Sequence, residues 1–316
     1  MKAARVKQFG PPGAIEVGDI EVPQPGQGQV LIRVGAAGVG PWDGWIRAGK
    51  SVLPQPLPLT LGSDLAGTVE ALGPGVSGVS IGDAVFGVTN PRFTGAYAEH
   101  ALAEAAMIAR RPAGVPVVEA ASAPVVAVTA LQMLEDHAHV AKGQRVLILG
   151  GAGNVGSYAV QLAKLLGAQV IAAVRGPELE TARALGAQQA VDVDAEDLEA
   201  AIAPVDAVID TVGGDLQRRS LMVIRRGGVL ITAVSQPDAA LAQKQGVRAS
   251  FILVQVTTAA LQRIGALLEQ GLLRARVGTV LPLSEARMAH EMLEGQRPHP
   301  PGKIVLKIES QSGSQP

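Results

Sequence analysis

Val146-Leu147-Ile148-Leu149-Gly150-Gly151-Ala152-Gly153-Asn154-Val155-Gly156 runs from an apolar segment into a glycine-rich turn, which opens into the amphipathic stretch from Ser157 to Leu166. Gly151, Gly153 and Gly156 fit the spacing Gly-x-Gly-x-x-Gly. Between a strand and a helix each glycine has a task. The first permits the tight turn, the second lets a pyrophosphate approach the backbone, and the third lets helix and strand pack closely. Free N–H groups and the positive dipole end of the helix then face the phosphates. The turn predicts a dinucleotide site at Gly151, Ala152, Gly153, Asn154, Val155 and Gly156.

Outward from the turn, the C-terminal side alternates strands and helices. Strands fit 145–149, 169–174, 206–210, 228–233 and 250–254, and helices fit 155–166, 178–185, 214–224 and 257–270. Successive βαβ units imply a doubly wound parallel sheet. A helix near 284–293 and a strand at 303–308 follow, and the polar tail 309–316 is expected to be disordered. The N-terminal side is β-rich. Strands at 30–34, 66–72 and 83–88, separated by Gly and Pro turns, suggest a compact, partly open barrel. A helical stretch from Val117 to His137 leads back to the glycine turn.

The whole chain narrows the classes. Its 316 residues allow about two domains. Hydrophobic residues make up 47% and charged residues 17%, enough for a large core. A net charge of −1 without a basic stripe argues against nucleic acid. No uninterrupted apolar run is long enough to span a bilayer. Met1-Lys2-Ala3-Ala4-Arg5-Val6-Lys7 lacks the apolar core of a signal peptide, so a cytoplasmic location is expected. With no cysteine, disulfides, thiolate zinc sites and a cysteine nucleophile are excluded. His137 and His139 read as a solvated helix end, and no metal is expected.

The strand after the turn, Gln169 to Gly176, distinguishes the dinucleotides. An NAD site usually ends this strand with Asp or Glu, which binds the ribose 2′-hydroxyl. Here the end is Val174 followed by Arg175. A carboxylate repels a 2′-phosphate, whereas arginine pairs with it. NADPH is therefore the expected cofactor.

Together these features resemble the medium-chain dehydrogenase/reductase superfamily. The likeness rests on Pro25 to Val34, Ala36 to Asp43, Gly62-Ser63-Asp64-Leu65-Ala66-Gly67-Thr68-Val69 and Gly95-Ala96-Tyr97-Ala98-Glu99, the glycine turn, Asp210-Thr211-Val212-Gly213-Gly214 and Gly302-Lys303-Ile304-Val305-Leu306. It implies an α/β architecture: a GroES-like β-rich catalytic domain over 1–122, a Rossmann NADPH-binding domain over 123–260, and a return to the catalytic domain over 261–308. Zinc alcohol dehydrogenases of the superfamily carry a Cys where this chain has Gly40, and a His-Glu where it has Ser63-Asp64. The chain is most similar to the zinc-free quinone oxidoreductase branch, which is usually oligomeric; a homodimer through the segment Ser250 to Val254 is expected.

The resemblance also implies residue roles. Trp45 falls where an aromatic lines the substrate cleft, and Asp43 where it orients the site. Pro41, Thr129, Val212, Gly213, Ala233, Val234, Ser235, Phe251, Ile252, Val254 and Lys303 match positions near the cofactor. Val193 stands where a Tyr near the cofactor phosphate is frequent, which leaves more of the NADPH preference to Arg175. Without a metal, the hydride acceptor must already be electrophilic, as a quinone or an α,β-unsaturated carbonyl is. The anion so formed needs hydrogen-bond donors. Trp45, Tyr97 and Ser63 are the side-chain candidates. A redox sensor or crystallin-like protein that binds NADPH with little turnover is the alternative reading.

Overall fold

The structure is a computed structural model that describes residues 1–308. The chain divides into two compact units: Met1–Val125 with Val256–Gly271 and the chain from Ala275 onward, and Val126–Gln255 with Leu272–Arg274. The tail expected at 309–316 lies outside the described residues.

The first unit carries β1 (Lys2–Val6), β2 (Glu16–Asp19), β3 (Gln29–Val39), β4 (Leu59–Thr60), β5 (Asp64–Leu72), β6 (Ala84–Val88), β7 (His100–Glu104) and β8 (Ile108–Arg110). β1 lies between β2 and β4 in a small antiparallel sheet. β3 is the hub of the larger sheet, pairing with both β5 and β7. Its alternate residues Val30, Ile32 and Val34 enter the core with Leu65, Val69 and Tyr97, as the two-residue period of a strand requires. Helix α1 (Pro41–Arg47) follows β3 directly, and α2 (Val117–Ser122) packs on β3 and β5. The expected long helix over 117–137 is interrupted. Pro124, which lacks an N–H, starts a new helix, and residues 132–137 form a π-helical segment.

The boundary to the second unit falls inside α3 (Pro124–Leu131). There β9 (Arg145–Leu149), β10 (Gln169–Val174), β11 (Gln189–Asp192), β12 (Val205–Asp210), β13 (Ile224–Thr232) and β14 (Arg248–Phe251) form one parallel sheet in the order β11-β10-β9-β12-β13-β14. β9 is central, and Val146, Leu147, Ile148 and Leu149 are all buried. The helices are α4 (Asn154–Leu165), α5 (Leu179–Leu185), α6 (Leu198–Ala201), α7 (Gly214–Ser220) and α8 (Ala239–Gln245). Strand order reverses at β9, so the carboxyl ends of β9 and β12 flank the position where such sheets bind ligands. Sequence reading missed β11, and the strand expected at 250–254 stops at Phe251, beyond which the chain is irregular.

The chain then returns to the first unit with α9 (Thr258–Glu269), β15 (Val277–Pro282), α10 (Ala286–Leu293) and β16 (Lys303–Lys307). β15 and β16 extend the larger sheet beyond β3. Residues 256–260, expected with the Rossmann half, belong here instead. Thr258 Oγ1 donates to the carbonyls of Ile108 and Ala105 at 2.8 and 3.3 Å. Leu272–Arg274 stays with the second unit because Gln161 bonds both the carbonyl and the amide of Arg274, at 3.2 and 2.9 Å. Among the described residues no helix is long and apolar enough to cross a membrane.

Candidate functional site

In the second unit the sheet delivers a glycine cradle. Gly150, not Gly151, is the left-handed residue of the turn (φ +73°), and a Cβ on it would lie 2.8 Å from both Thr211 Oγ1 and Val212 Cγ2. Gly151 is required for closeness rather than conformation, since its Cβ would fall 2.7 Å from that of Ala172 on β10. Gly156 does what the motif predicts: a Cβ there would stand 2.0 Å from the Gly150 carbonyl oxygen, where α4 crosses the strand end. Gly153 is the N-cap of α4 and supplies no side chain to the first-turn amides. An anion can take that place, aided by the helix dipole. The cradle therefore fits a dinucleotide pyrophosphate.

Val174 ends β10 and is buried, and the Arg175 side chain beyond it is 77% exposed. Its Nε lies 4.0 Å from Asp194 Oδ2, an exposed ion pair that water weakens. Carboxylates do stand at this edge, although not at the strand end itself. Glu178 Oε2 accepts from the Arg175 amide at 3.4 Å, and Asp192 Oδ2 reaches within 2.7 Å of the Cβ position of Gly176.

Two more strand ends adjoin the turn. Asp210, wholly buried at the end of β12, accepts at Oδ1 from the amides of Val212 (2.9 Å) and Gly213 (2.8 Å). At Oδ2 it accepts from Gln217 Nε2 at 2.8 Å. Thr211 Oγ1 donates to the Leu149 carbonyl at 2.7 Å. Ala233, Val234 and Ser235 follow β13, with Gly213 tucked against Val234 and Ser235. Ile252 donates to the Thr232 carbonyl at 2.9 Å, with Phe251 and Val254 on either side. Thr129 is buried in α3.

The first unit holds a second polar cluster, at the start of α1. Asp43 closes a capping box, its Oδ2 accepting from the Gly40 amide at 2.8 Å and from the Tyr97 hydroxyl at 3.0 Å. Its Oδ1 is buried without a partner. Burial pushes the Asp43 carboxyl up to about 7, against the pull of the Gly40 amide, Lys303 and Tyr97. Burial likewise raises Tyr97, and the neighbouring Asp43 adds to it.

Trp42 is clamped. Its Nε1 donates to Ser63 Oγ at 2.9 Å, and the Lys303 ammonium sits 4.5 Å from the ring centroid. A Cβ on Gly40 would lie 2.3, 2.4 and 2.5 Å from three atoms of the ring, so the indole fills the side-chain space of residue 40. Lys303 Nζ also donates to Asp64 Oδ2 at 3.1 Å, and Asp64 Oδ1 accepts from the Val125 amide at 3.0 Å. Burial raises the Asp64 carboxyl even so, with Lys303 opposing.

Three expectations change on these grounds. Tyr97 is fully buried with its hydroxyl committed to Asp43, so it does not present a donor to substrate. Ser63 is equally buried and holds Trp42. Lys303, expected at the cofactor, is instead 2% exposed on Asp64 and Trp42. Trp45, by contrast, is 52% exposed and borders a shallow hollow of about 150 Å³ with Pro41, Ala48 and Leu293. Sequence reading missed a further group. Arg47, almost fully buried, pairs with Glu294 and lies 3.3 Å from His290 Nδ1. Burial and Arg47 push His290 down to about 3. Nothing in the local sequence marks residues so far apart as partners.

A zinc ion does not suit these residues. The chain has no cysteine, and among the described residues no group of three or more His, Cys, Asp or Glu is placed to hold a metal.

Two units of this kind, one with a β-rich sheet and one with a glycine cradle on a parallel sheet, define a dinucleotide-dependent oxidoreductase. The family "Alcohol dehydrogenase GroES-like domain" matches residues 26–113, and "Zinc-binding dehydrogenase" matches 185–306. The chain is 30% identical to a quinone oxidoreductase of Pongo abelii, over 98% of each chain. It is 31% identical to the chloroplastic NADPH-dependent alkenal/one oxidoreductase of Arabidopsis thaliana, over 91% of this chain and 74% of that protein. It is 35% identical to 2-methylene-furan-3-one reductase of Solanum lycopersicum over 75% of this chain, a match that spans 64% of the relative's length. The structure of the quinone oxidoreductase from Coxiella burnetii superposes with a TM-score of 0.91 at 36% identity, covering 98% of this chain and 99% of that one. The chain belongs to the medium-chain dehydrogenase/reductase superfamily, in its quinone oxidoreductase branch.

Proposed function

We propose that the protein is an NADPH-dependent reductase that delivers hydride to a quinone or an α,β-unsaturated carbonyl without a metal. The observation that carries this reading is the uncapped start of α4 behind the glycine turn, followed at the end of β10 by the exposed Arg175. The names of the relatives support the acceptor class.

NADPH supplies the hydride when bound. Gly151, Ala152, Gly153, Asn154, Val155 and Gly156 hold its pyrophosphate through backbone amides. Val174 and Arg175 hold the 2′-phosphate, with Arg175 leaving its weak pairing with Asp194. Val212, Gly213, Ala233, Val234, Ser235, Phe251, Ile252, Val254 and Thr129 shape the rest of the cofactor's bed. Trp45, with its ring free, offers apolar surface to a planar acceptor, while Asp43 and Ser63 hold the turn that carries it. Water delivers the proton. The enzyme acts in the cytoplasm as a homodimer, and β14, an edge of the parallel sheet, supplies the pairing surface.

Steady-state rates with NADPH and NADH against one quinone test the cofactor choice. Arg175→Ala is expected to raise the KM for NADPH about tenfold, the value of one charge-assisted hydrogen bond, and to leave NADH unchanged. Equal losses for both cofactors contradict the assignment.

A further inference from the structure

The carboxyl ends of β9, β12 and β13 carry three separate loops, and one buried group joins two of them. Gln217 on α7 has four acceptors within reach of Nε2. These are Asp210 Oδ2 at 2.8 Å, Thr232 Oγ1 at 3.2 Å, the Ser235 carbonyl at 3.3 Å and Ser235 Oγ at 3.4 Å. A side-chain amide has only two hydrogens. The shortest contact takes one of them, so Asp210 is held firmly, and the other is shared among Thr232 and Ser235. Asp210 in turn fixes the amides of Val212 and Gly213. Gly213 (φ +77°) has a backbone conformation that side chains strain, and a Cβ there would also press on Val234 Cγ1 at 3.0 Å and Ser235 Oγ at 3.1 Å. The third loop is tied in by Thr211, which donates to the carbonyl of Leu149 just before the glycine turn. Asp210 and Gln217 thus set the spacing of the segments 211–214 and 233–235, and both side chains are buried beneath them.

Resting on the cofactor site inferred above, we propose that Asp210 and Gln217 are positioning residues for the dinucleotide. They touch no ligand themselves. They hold the loops after β12 and β13 at the separation the cofactor needs, so that binding does not have to order them. Ser235, sharing one hydrogen with Thr232, is the loosest member and remains able to turn its hydroxyl toward a ligand.

The arrangement of donors and acceptors permits a swap test. Gln217→Glu sets two carboxylates against each other. Asp210→Asn keeps an oxygen for the Val212 and Gly213 amides but turns an NH2 toward the Gln217 NH2. In Asp210→Asn with Gln217→Glu, the asparagine NH2 donates to the glutamate, and the link is restored with its direction reversed. Equilibrium Kd values for NADPH, apo-protein Tm and the KM for a quinone are measured for the wild type, both single variants, the double variant and Gln217→Leu. Each single variant and Gln217→Leu is expected to weaken NADPH about tenfold, one buried hydrogen bond's worth, with the quinone KM unchanged. The double variant is expected to bind NADPH several-fold more tightly than the single effects added together. A double variant no better than that sum overturns the proposal, as does a Gln217→Leu variant that loses Tm but keeps its NADPH affinity. A wild type that binds neither NADPH nor NADH overturns the cofactor site itself, a different outcome from wild-type binding left intact by the substitutions.

Discussion

Asp43 in the first unit and Asp210 in the second are both removed from solvent, yet their surroundings differ in kind. Asp210 has two backbone amides on one oxygen and an amide NH2 on the other. Asp43 has a backbone amide and a phenol on one oxygen and no partner on the other. A buried carboxylate without enough donors favours its neutral form, and the Asp43 carboxyl is accordingly pushed up to about 7. One aspartate is built as a fixed anchor for backbone. The other is a group whose charge changes near neutrality, in the first turn of the helix that also carries Trp42 and Trp45. Burial alone therefore does not say what a carboxylate does; the count of donors on each oxygen does.

Asp43→Asn puts the largest effect on this contrast. The folded-state value near 7 lies above the unfolded value of 3.8. Stability from neutral Asp43 is thus complete below about pH 4 and is lost as pH rises through 7, a loss of up to about 4 kcal/mol. Urea unfolding of Asp43→Asn between those limits is expected to show a flatter pH dependence than the wild type, keeping only the share from other raised carboxyls such as Asp64. An unchanged slope breaks the contrast. Asp210→Ala comes next. It strands two amides and the Gln217 NH2, and is expected to cost on the order of 3 kcal/mol, read from urea midpoints at pH 7. Tyr97→Phe has the smallest effect. It removes one of the two donors to Asp43, costs about 1 kcal/mol and leaves kcat with a quinone within about twofold. A loss on the order of a hundredfold, the size of general acid catalysis, would make the phenol a proton donor after all.

Sequence reading captured what is local. The apolar run, the glycines and the amphipathic stretch are consecutive, and β9, the turn and α4 follow them closely. The long strands of both sheets were legible for the same reason. Short elements such as β11 and the break at Pro124 were not, because four residues carry little periodicity and a proline interrupts a helical pattern without changing its composition. The cluster around α1 was the least legible. Trp42 meets Ser63 across 21 residues, Asp64 meets Lys303 across 239, and Arg47 meets His290 across 243. The first pair is joined by the pairing of β3 with β5, the other two by the return of β16 and α10 to the first unit, and none by any local spacing. Family resemblance placed Tyr97 and Lys303 near the reaction, but their hydrogen bonds within this chain turn them inward. Gly150 shows the same point at short range: the spacing names Gly151, while the backbone places the left-handed residue one position earlier.

The proposed reaction passes hydride from NADPH to an already electrophilic acceptor without help from a metal. Following NADPH absorbance with quinones, enones and alkenals, before and after treatment with a metal chelator, tests it directly. Oxidation with at least one of these classes is expected, at the same rate after chelation. NADPH that binds but is oxidised by none of them, or a rate that disappears with the chelator, would contradict it.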